Sequence, residues 1–267
     1  MFKDFIYDNR SLSSFGFMVC NLDSDDDMNA VTTDSQRDIS SLSLFQGKFQ
    51  PFSSTAYSDK MVFEFSCCKN TCVMESLEIT VDEMREIKHW LTPPVAKKFE
   101  VPDDKEYFRY YWEGIFNVEE VWFGGMRIGF NLTLTCNRPF GLREPVVHTG
   151  TLEAGEDFTI FDSSDDQGYI YPSMIITCLE AGDLTLTNSY DGRETTIKNC
   201  AANEIITVTP ELQISTSLTS HKLSSDFNWK FLRIGNTFDN NKNTISSSLK
   251  IDYDIEYNPI IKAVIPQ

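Results

Sequence analysis

The sequence is poor in positive charge. It carries 23 Lys and Arg against 40 Asp and Glu, a formal net charge of −17. Binding that neutralises phosphates needs clustered cations, so direct readout of nucleic acid is excluded as a function class. The acidity is compatible with a surface past which nucleic acid slides without sticking. Long apolar runs are missing too: no stretch reaches the ~18 residues that span a membrane. The opening MFKDFIYDNR has no basic segment followed by an apolar one, which leads us to expect synthesis in a cytosol and no membrane insertion.

Histidine is scarce. His89, His148 and His221 are the only three, and none stands in a G-x-S-x-G or similar nucleophile context. There is no GxGxxG after a strand, no P-loop and no HExxH, so nucleotide-binding and zinc-protease classes fall away. Paired carboxylates of the glycosidase type can be judged only by geometry. Cysteine is odd in number, seven in all, which points to reduced thiols and no disulfide framework. In CCKNTC, Cys67, Cys68 and Cys72 lack the second pair of ligands that structural zinc requires and read as turn and strand-end thiols. The chain reads as a non-enzyme: no catalytic, cofactor-binding or metal-ligating residue is assigned, and no cofactor.

What the chain does have is apolar and aromatic substance. Hydrophobic residues make up 41%, with 20 Phe, 10 Tyr and 4 Trp, enough for true cores and against disorder. Whether 267 residues make one large β domain or two is decided by the stretch GFNLTLTCNRPF, Gly129 to Phe140. Phe130, Leu132, Leu134 and Cys136 alternate with Asn131, Thr133, Thr135 and Asn137, the period of a strand buried on one face. Arg138-Pro139 stops it, and RPFGLREP to Pro145 has linker composition. We therefore expect a domain over 1–138, a linker over 139–145 and a second domain over 146–267.

In the first domain, residues 1–20 read as a strand pair that closes on FGFMVC, Phe15 to Cys20. Asn21 to Asn29 is strongly acidic, but Asp23, Asp25 and Asp27 are followed by Met28 and Asp34 where an EF-hand needs Gly and Glu, so a solvated loop is expected. Ser40 to Ser58 has no period. Met61, Phe63 and Phe65 form a strand with a hairpin-like return through Leu77 and Ile79. Thr80 to Leu91 is the one convincing helix, near 81–91, with Thr80 and Glu83 as a capping box and Val81, Met84, Ile87 and Leu91 on one face. His89 lies on it as a surface or packing residue. YFRYYWEGIF, Tyr107 to Phe116, leads to a hairpin turned by Gly124-Gly125. Trp112, Trp122 and Trp229 could stack on a sugar, but strand contexts favour core or interface roles.

The second domain is almost purely β. It shows YIYPSMIIT at Tyr169 to Thr177, alternation at Leu184 and Leu186, a turn at Asp191-Gly192 towards Ile197, and a run at Ile205, Ile206 and Val208. Phe227 to Phe238 precedes an Asn-rich turn at Asn240 to Asn243. The last strand alternates Leu249, Ile251, Tyr253, Ile255 and Tyr257 with polar residues, as in a sandwich or jelly roll.

Several of these stretches together resemble the distal tail protein (Dit) family of long, non-contractile-tailed phages infecting Gram-positive bacteria. They are FIYDNRSLSSFGF from Phe5, EIKHWL from Glu86, RYYWEGIF from Arg109, the seam strand, YIYPSMII from Tyr169, DFNWKFLRI from Asp226 and NTISSSLKIDYDIEY from Asn243. The resemblance implies a mainly β protein: an N-terminal β-sandwich or split-barrel domain with one helix, then a C-terminal galectin-like β-sandwich. It further implies a hexameric ring in the virion tail tip, assembled in the host cytoplasm. As a baseplate hub, that ring joins the tail tube protein to the tail-associated lysin or tip protein and can carry receptor-binding protein. The length leaves no room for an inserted carbohydrate-binding module. Neither His148-Thr149-Gly150 nor His221-Lys222-Leu223 supplies the galectin sugar pattern His-x-Asn-x-Arg, so the second domain reads as a docking platform. The acidic loop has no counterpart in the family pattern, and the interface residues are not assigned. The alternative is a monomeric carbohydrate-binding β-sandwich recognising cell-wall glycans; a two-carboxylate glycosidase is a third reading.

Overall fold

Residues 3–20, 37–41, 52–57, 60–73, 76–102 and 110–262 are described by a computed structural model. The acidic stretch Asn21 to Asn29 and residues 107–109 lie outside them. The chain is mainly β, and among the described residues its antiparallel sheets do not close on themselves. The described residues divide into two units, one up to 142 together with 262 and the other over 143–261, so the first boundary falls inside the stretch 139–145 and the described end of the chain groups with the first unit.

The first unit opens with β1 (Ile6–Tyr7), β2 (Arg10–Ser11), a 3-10 turn at Leu12–Phe15 and β3 (Phe17–Cys20). A strand pair is expected here, but the partners differ. Asp8 and Asn9 take positive φ, which folds β2 back on β1. The 3-10 turn is capped when the Ser11 hydroxyl accepts from Ser14 N, and it sends β3 away to another strand. A two-stranded sheet of β4 (Arg37–Ser41) and β5 (Phe52–Tyr57) occupies part of the stretch without period. Then follow β6 (Val62–Lys69), α1 (Val81–Leu91), β7 (Lys97–Glu100), β8 (Tyr110–Phe123), β9 (Met126–Cys136) and β10 (Gly141–Arg143). The main sheet runs β2-β1-β7-β8-β9-β6-β3. The expected return through Leu77 and Ile79 is not a strand: β6 pairs with β3 and β9, and Ile79 N donates to Arg127 O at 2.8 Å.

On β9, Phe130, Leu132, Leu134 and Cys136 are all buried, as their alternation requires. Each such side chain stabilises the fold by about 1.5–3 kcal/mol. Phe5 is the hub of this core, with ring centroids 5.4–5.7 Å from Phe65, Trp90, Phe99 and Phe116. The α1 capping box is complete: Thr80 N donates to Glu83 Oε2 at 2.7 Å and Glu83 N to Thr80 Oγ1 at 3.3 Å. Its buried face is Met84, Ile87, Trp90 and Leu91, while Val81 is 66% exposed. Val81 sits in the first turn, and the face is completed instead by Trp90, whose indole N–H donates to Tyr7 O at 2.9 Å.

The second unit contains β11 (Val146–Leu152), β12 (Asp157–Phe161), β13 (Gly168–Ile170), β14 (Ser173–Cys178), β15 (Gly182–Asn188), β16 (Arg193–Cys200), β17 (Glu204–Val208), β18 (Ile214–Thr216), a one-turn helix α2 (Leu223–Asp226), β19 (Ile234–Asn236), β20 (Lys242–Ser247) and β21 (Ile251–Tyr257). A five-stranded sheet, β11-β21-β14-β17-β18, and a four-stranded sheet, β12-β20-β15-β16, share one core. Ile176, Ile206 and Ile255 come from the first and Ile160, Leu186 and Ile245 from the second. That is a β-sandwich.

Three stretches of this unit depart from the alternation. YIYPSMIIT is two strands, since Pro172 cannot donate to a ladder: β13 pairs with β19 and β14 with β17 and β21. Phe227 to Phe238 yields only β19. The Asn-rich turn is shorter than expected, because Asn243 is fully buried in β20. There its amide donates to Gly235 O and accepts from Gly235 N and from Asn188 Nδ2, so burying it leaves no polar atom unpaired.

Candidate interaction surfaces

The longest hairpin of the first unit ends in an apolar tip. Gly124 and Gly125 both take positive φ, the conformation that a two-residue turn between twisted strands demands. Phe123 pairs with Met126 directly across the turn, with a bulge just before Trp122. Three large apolar side chains stand in solvent here: Trp122 is 56% exposed, Phe123 72% and Met126 48%.

The stem beneath them is braced by charge. Arg127 lies 4.8 Å from the Trp122 ring centroid and donates from Nε to Glu120 Oε2 at 2.8 Å. Lys88 of α1 donates to the other Glu120 oxygen at 2.6 Å, and Arg127 Nη1 reaches Ile79 O and Thr80 O. The Lys88 hydrogen bond above all, with that of Arg127, holds the Glu120 carboxyl below its usual range although burial opposes it. An aromatic cluster presented on a stem tied to a helix has the make-up of a protein interface.

The second unit carries a cluster of titratable groups with an enclosed member. Glu204 opens β17 fully buried. Its carboxylate accepts from Ala201 N at 2.8 Å, from the Thr216 hydroxyl and from His221 Nδ1 at 2.6 Å. His221 Nε2 stands 3.4 Å from Asp226 Oδ2. Burial pushes the Glu204 carboxyl up, but the hydrogen bonds from Thr216, Ala201 and His221 outweigh it and the net direction is down. Burial likewise pulls His221 down, and Glu204 reverses this so that the imidazole holds its proton above its ordinary value. A cavity of about 290 Å³ beside the cluster is lined by Asn199, Ala201, Glu204, His221 and Asp226 among others. The carboxylate that holds His221 is enclosed, as a structural brace would be.

The other residues singled out in the sequence are scattered. His89 is exposed on α1. His148 lies on the edge strand β11 opposite Ile255, its pKa lowered by burial. Trp112 is core. Trp229 is exposed on a backbone of φ 59°, its ring 5.5 Å from that of Phe227. Cys67 is buried in β6, whereas Cys72 is exposed in a turn. Among the described residues no three His, Cys, Asp or Glu form a group that could hold a metal ion, and no helix is long and apolar enough to cross a membrane. The Glu204–His221 pair escapes sequence reading because its members come together only through the β17–β18 pairing and the turn after it.

Comparison with known proteins bears on both units. Residues 1–138 match a family profile described as the N-terminal domain of a phage tail protein, and residues 140–257 one described as a phage tail C-terminal domain. Curated proteins yield no match. Among solved structures the chain is similar to the crystal structure of the Dit protein of phage SPP1, described as a paradigm of hub adsorption apparatus in phages infecting Gram-positive hosts. The TM-score is 0.64 at 8% identity, covering 97% of this chain and 99% of that one. Two structures of the phage p2 baseplate, activated with calcium and with strontium, cover 96% of this chain and 98% of theirs at 10% identity, with TM-scores of 0.43 and 0.42. At 8% identity the first of these likenesses speaks for the fold.

Proposed function

This chain belongs to a family of phage tail proteins, and from that premise we propose that it is a distal tail, or baseplate hub, component of the virion. In this reading it forms a hexameric ring that joins the tail tube to the tail tip protein or tail-associated lysin and supports receptor-binding apparatus. The domain over 1–138 builds the ring and the sandwich over 146–267 serves as its outer platform. It works by assembly and not by catalysis, and it is assembled in the host cytoplasm. The observation that carries the reading is the correspondence of fold along 97% of the chain with a hub protein. The exposed Trp122, Phe123 and Met126 supply the kind of surface that a closed ring of heterologous contacts buries. The net charge of −17 suits a lumen that lets DNA slide, provided the carboxylates line it; a basic lumen in a ring structure would remove that element.

The test is solution mass by light scattering with negative-stain imaging of the same fraction. A mass six times the 30.6 kDa of the chain, with rings showing a central hole, supports the hub. A monomer at high concentration and in the presence of tail tube protein overturns it. The second reading, a monomeric glycan-binding sandwich, draws on the exposed Trp229; it requires binding of cell-wall polysaccharide that is lost in Trp229→Ala.

A further inference from the structure

Two of the seven cysteines meet where the two sheets of the second unit come closest in sequence. Cys178 ends β14 in the five-stranded sheet, and Cys200 ends β16 in the four-stranded sheet. The strand registers bracket them from both sides. Cys178 pairs with Glu204, and its carbonyl accepts from Asn203 N at 2.7 Å; the tight turn from Cys200 to Glu204 therefore folds Cys200 onto Cys178. On the other side Cys200 pairs with Gly182, which only three residues separate from Cys178. Both side chains lie in the shared core, where the Cys200 thiol donates to Ile197 O at 3.5 Å and each thiol perturbs the titration of the other. Cys200 is 3% exposed, and its neighbours in the chain, Asn199 and Ala201, line the 290 Å³ cavity beside Glu204 and His221.

We propose that Cys178 and Cys200 form a redox modification site, at which a peroxide closes a disulfide that staples one sheet of the sandwich to the other. Cys200 is the attacking sulfur. With Cys178 beside it, the Cys200 thiol loses its proton more readily than usual although burial opposes this, whereas the Cys178 thiol is pushed well up. The Cys200 thiolate attacks one oxygen of hydrogen peroxide, the O–O bond breaks, and the departing hydroxide takes up the proton of the Cys200 thiol as water. Cys178 sulfur then attacks the sulfenic acid at Cys200, the S–O bond breaks, and the Cys178 proton leaves in a second water. Two thiols and one peroxide become one disulfide and two waters. A reducing cytoplasm favours the dithiol and the medium outside a cell the disulfide, so a virion component passes from the first state towards the second. The inference does not depend on ring formation.

The experiment uses the full chain, purified reduced and then exposed to hydrogen peroxide at a dose that consumes the exposed Cys72. Remaining thiols are alkylated and the digest is mapped without reductant. The expected result is a peptide pair joined through Cys178 and Cys200, with buried Cys136 still free. The thermal transition of the second unit should rise by roughly 10 °C, reversibly with reductant. Cys200→Ser should abolish both the joined peptide and the rise. If both thiols remain alkylatable in the native protein, or join only after denaturation, the site does not exist.

Discussion

The imidazole of His221 donates from Nδ1 to Oε1 of the fully buried Glu204 across 2.6 Å, binding the turn after β18 to the start of β17. The pair makes stability depend on pH in both directions. Glu204 titrates below its ordinary value in the folded chain, so its contribution is present above about pH 4.3, the unfolded carboxylate value, and is lost as pH falls through the lower folded value. His221 titrates above its ordinary value, so its contribution is complete below about pH 6.5 and is lost as pH rises through the higher folded value. Calorimetry from pH 4 to 9 should show the second unit losing stability above neutrality, a limb that His221→Gln flattens. Glu204→Ala should cost about 3 kcal/mol at pH 6 by stranding the imidazole. An unchanged pH profile in His221→Gln would rule the pair out as its source.

Asp162 is the opposite case. It is buried, one oxygen accepts from Ser164 N and Oγ at 3.2 and 2.8 Å, and the other faces the Tyr257 hydroxyl without a well-aligned hydrogen bond. Burial raises its pKa despite these partners. Its folded state holds the proton more tightly than the unfolded chain, so stability from this group is greatest below about pH 3.9 and declines as pH rises through the folded value. Asp162→Asn keeps the acceptor, removes the charge and offers Tyr257 a donor. The variant should melt about 3–5 °C higher at pH 7, a gain of about 1 kcal/mol, with the gain gone near pH 3. A lower melting temperature at pH 7 would show the charge to be stabilising.

Gly114 permits a close strand contact in the first unit. A Cβ there would lie 2.7 Å from Thr135 O and 2.8 Å from Leu134 Cδ1, and its own carbonyl accepts from the Tyr7 hydroxyl at 3.0 Å. Gly114→Ala should destabilise by about 1–3 kcal/mol, the range of overpacked cores. Denaturant titration reads it, and a midpoint equal to that of the parent chain would contradict the packing.

The hairpin tip separates assembly from stability. Trp122 and Phe123 are largely exposed, so the double variant Trp122→Ser, Phe123→Ser should change unfolding free energy by no more than about 0.5 kcal/mol. Light scattering should nevertheless show a fall in assembly mass. Rings of undiminished mass would move the interface elsewhere.

Much of the first unit could be read from local pattern. The α1 boundaries, the Gly124-Gly125 turn and the buried face of β9 follow from capping chemistry and period two. The resemblance to phage tail proteins rested on the order of ordinary motifs, and the family profiles span the same residues. Misreadings fall where a residue serves a partner remote in sequence. Asn243 looks like a turn residue until Asn188 and Gly235 satisfy its amide, and Phe17–Cys20 looks like a return strand until β6 takes it as a neighbour.

The sequence by itself determined that this protein is acidic, mainly β and aromatic-cored, with one capped helix, because charge, alternation and capping are properties of neighbours in the chain. Only the tertiary structure decided which strands pair, that Glu204 meets His221, that Cys178 lies against Cys200, and that Trp122 stands in solvent while Trp112 does not. Those outcomes depend on register and sheet stacking between segments far apart in sequence, and hydrophobic alternation carries information about which face is buried but none about which strand covers it.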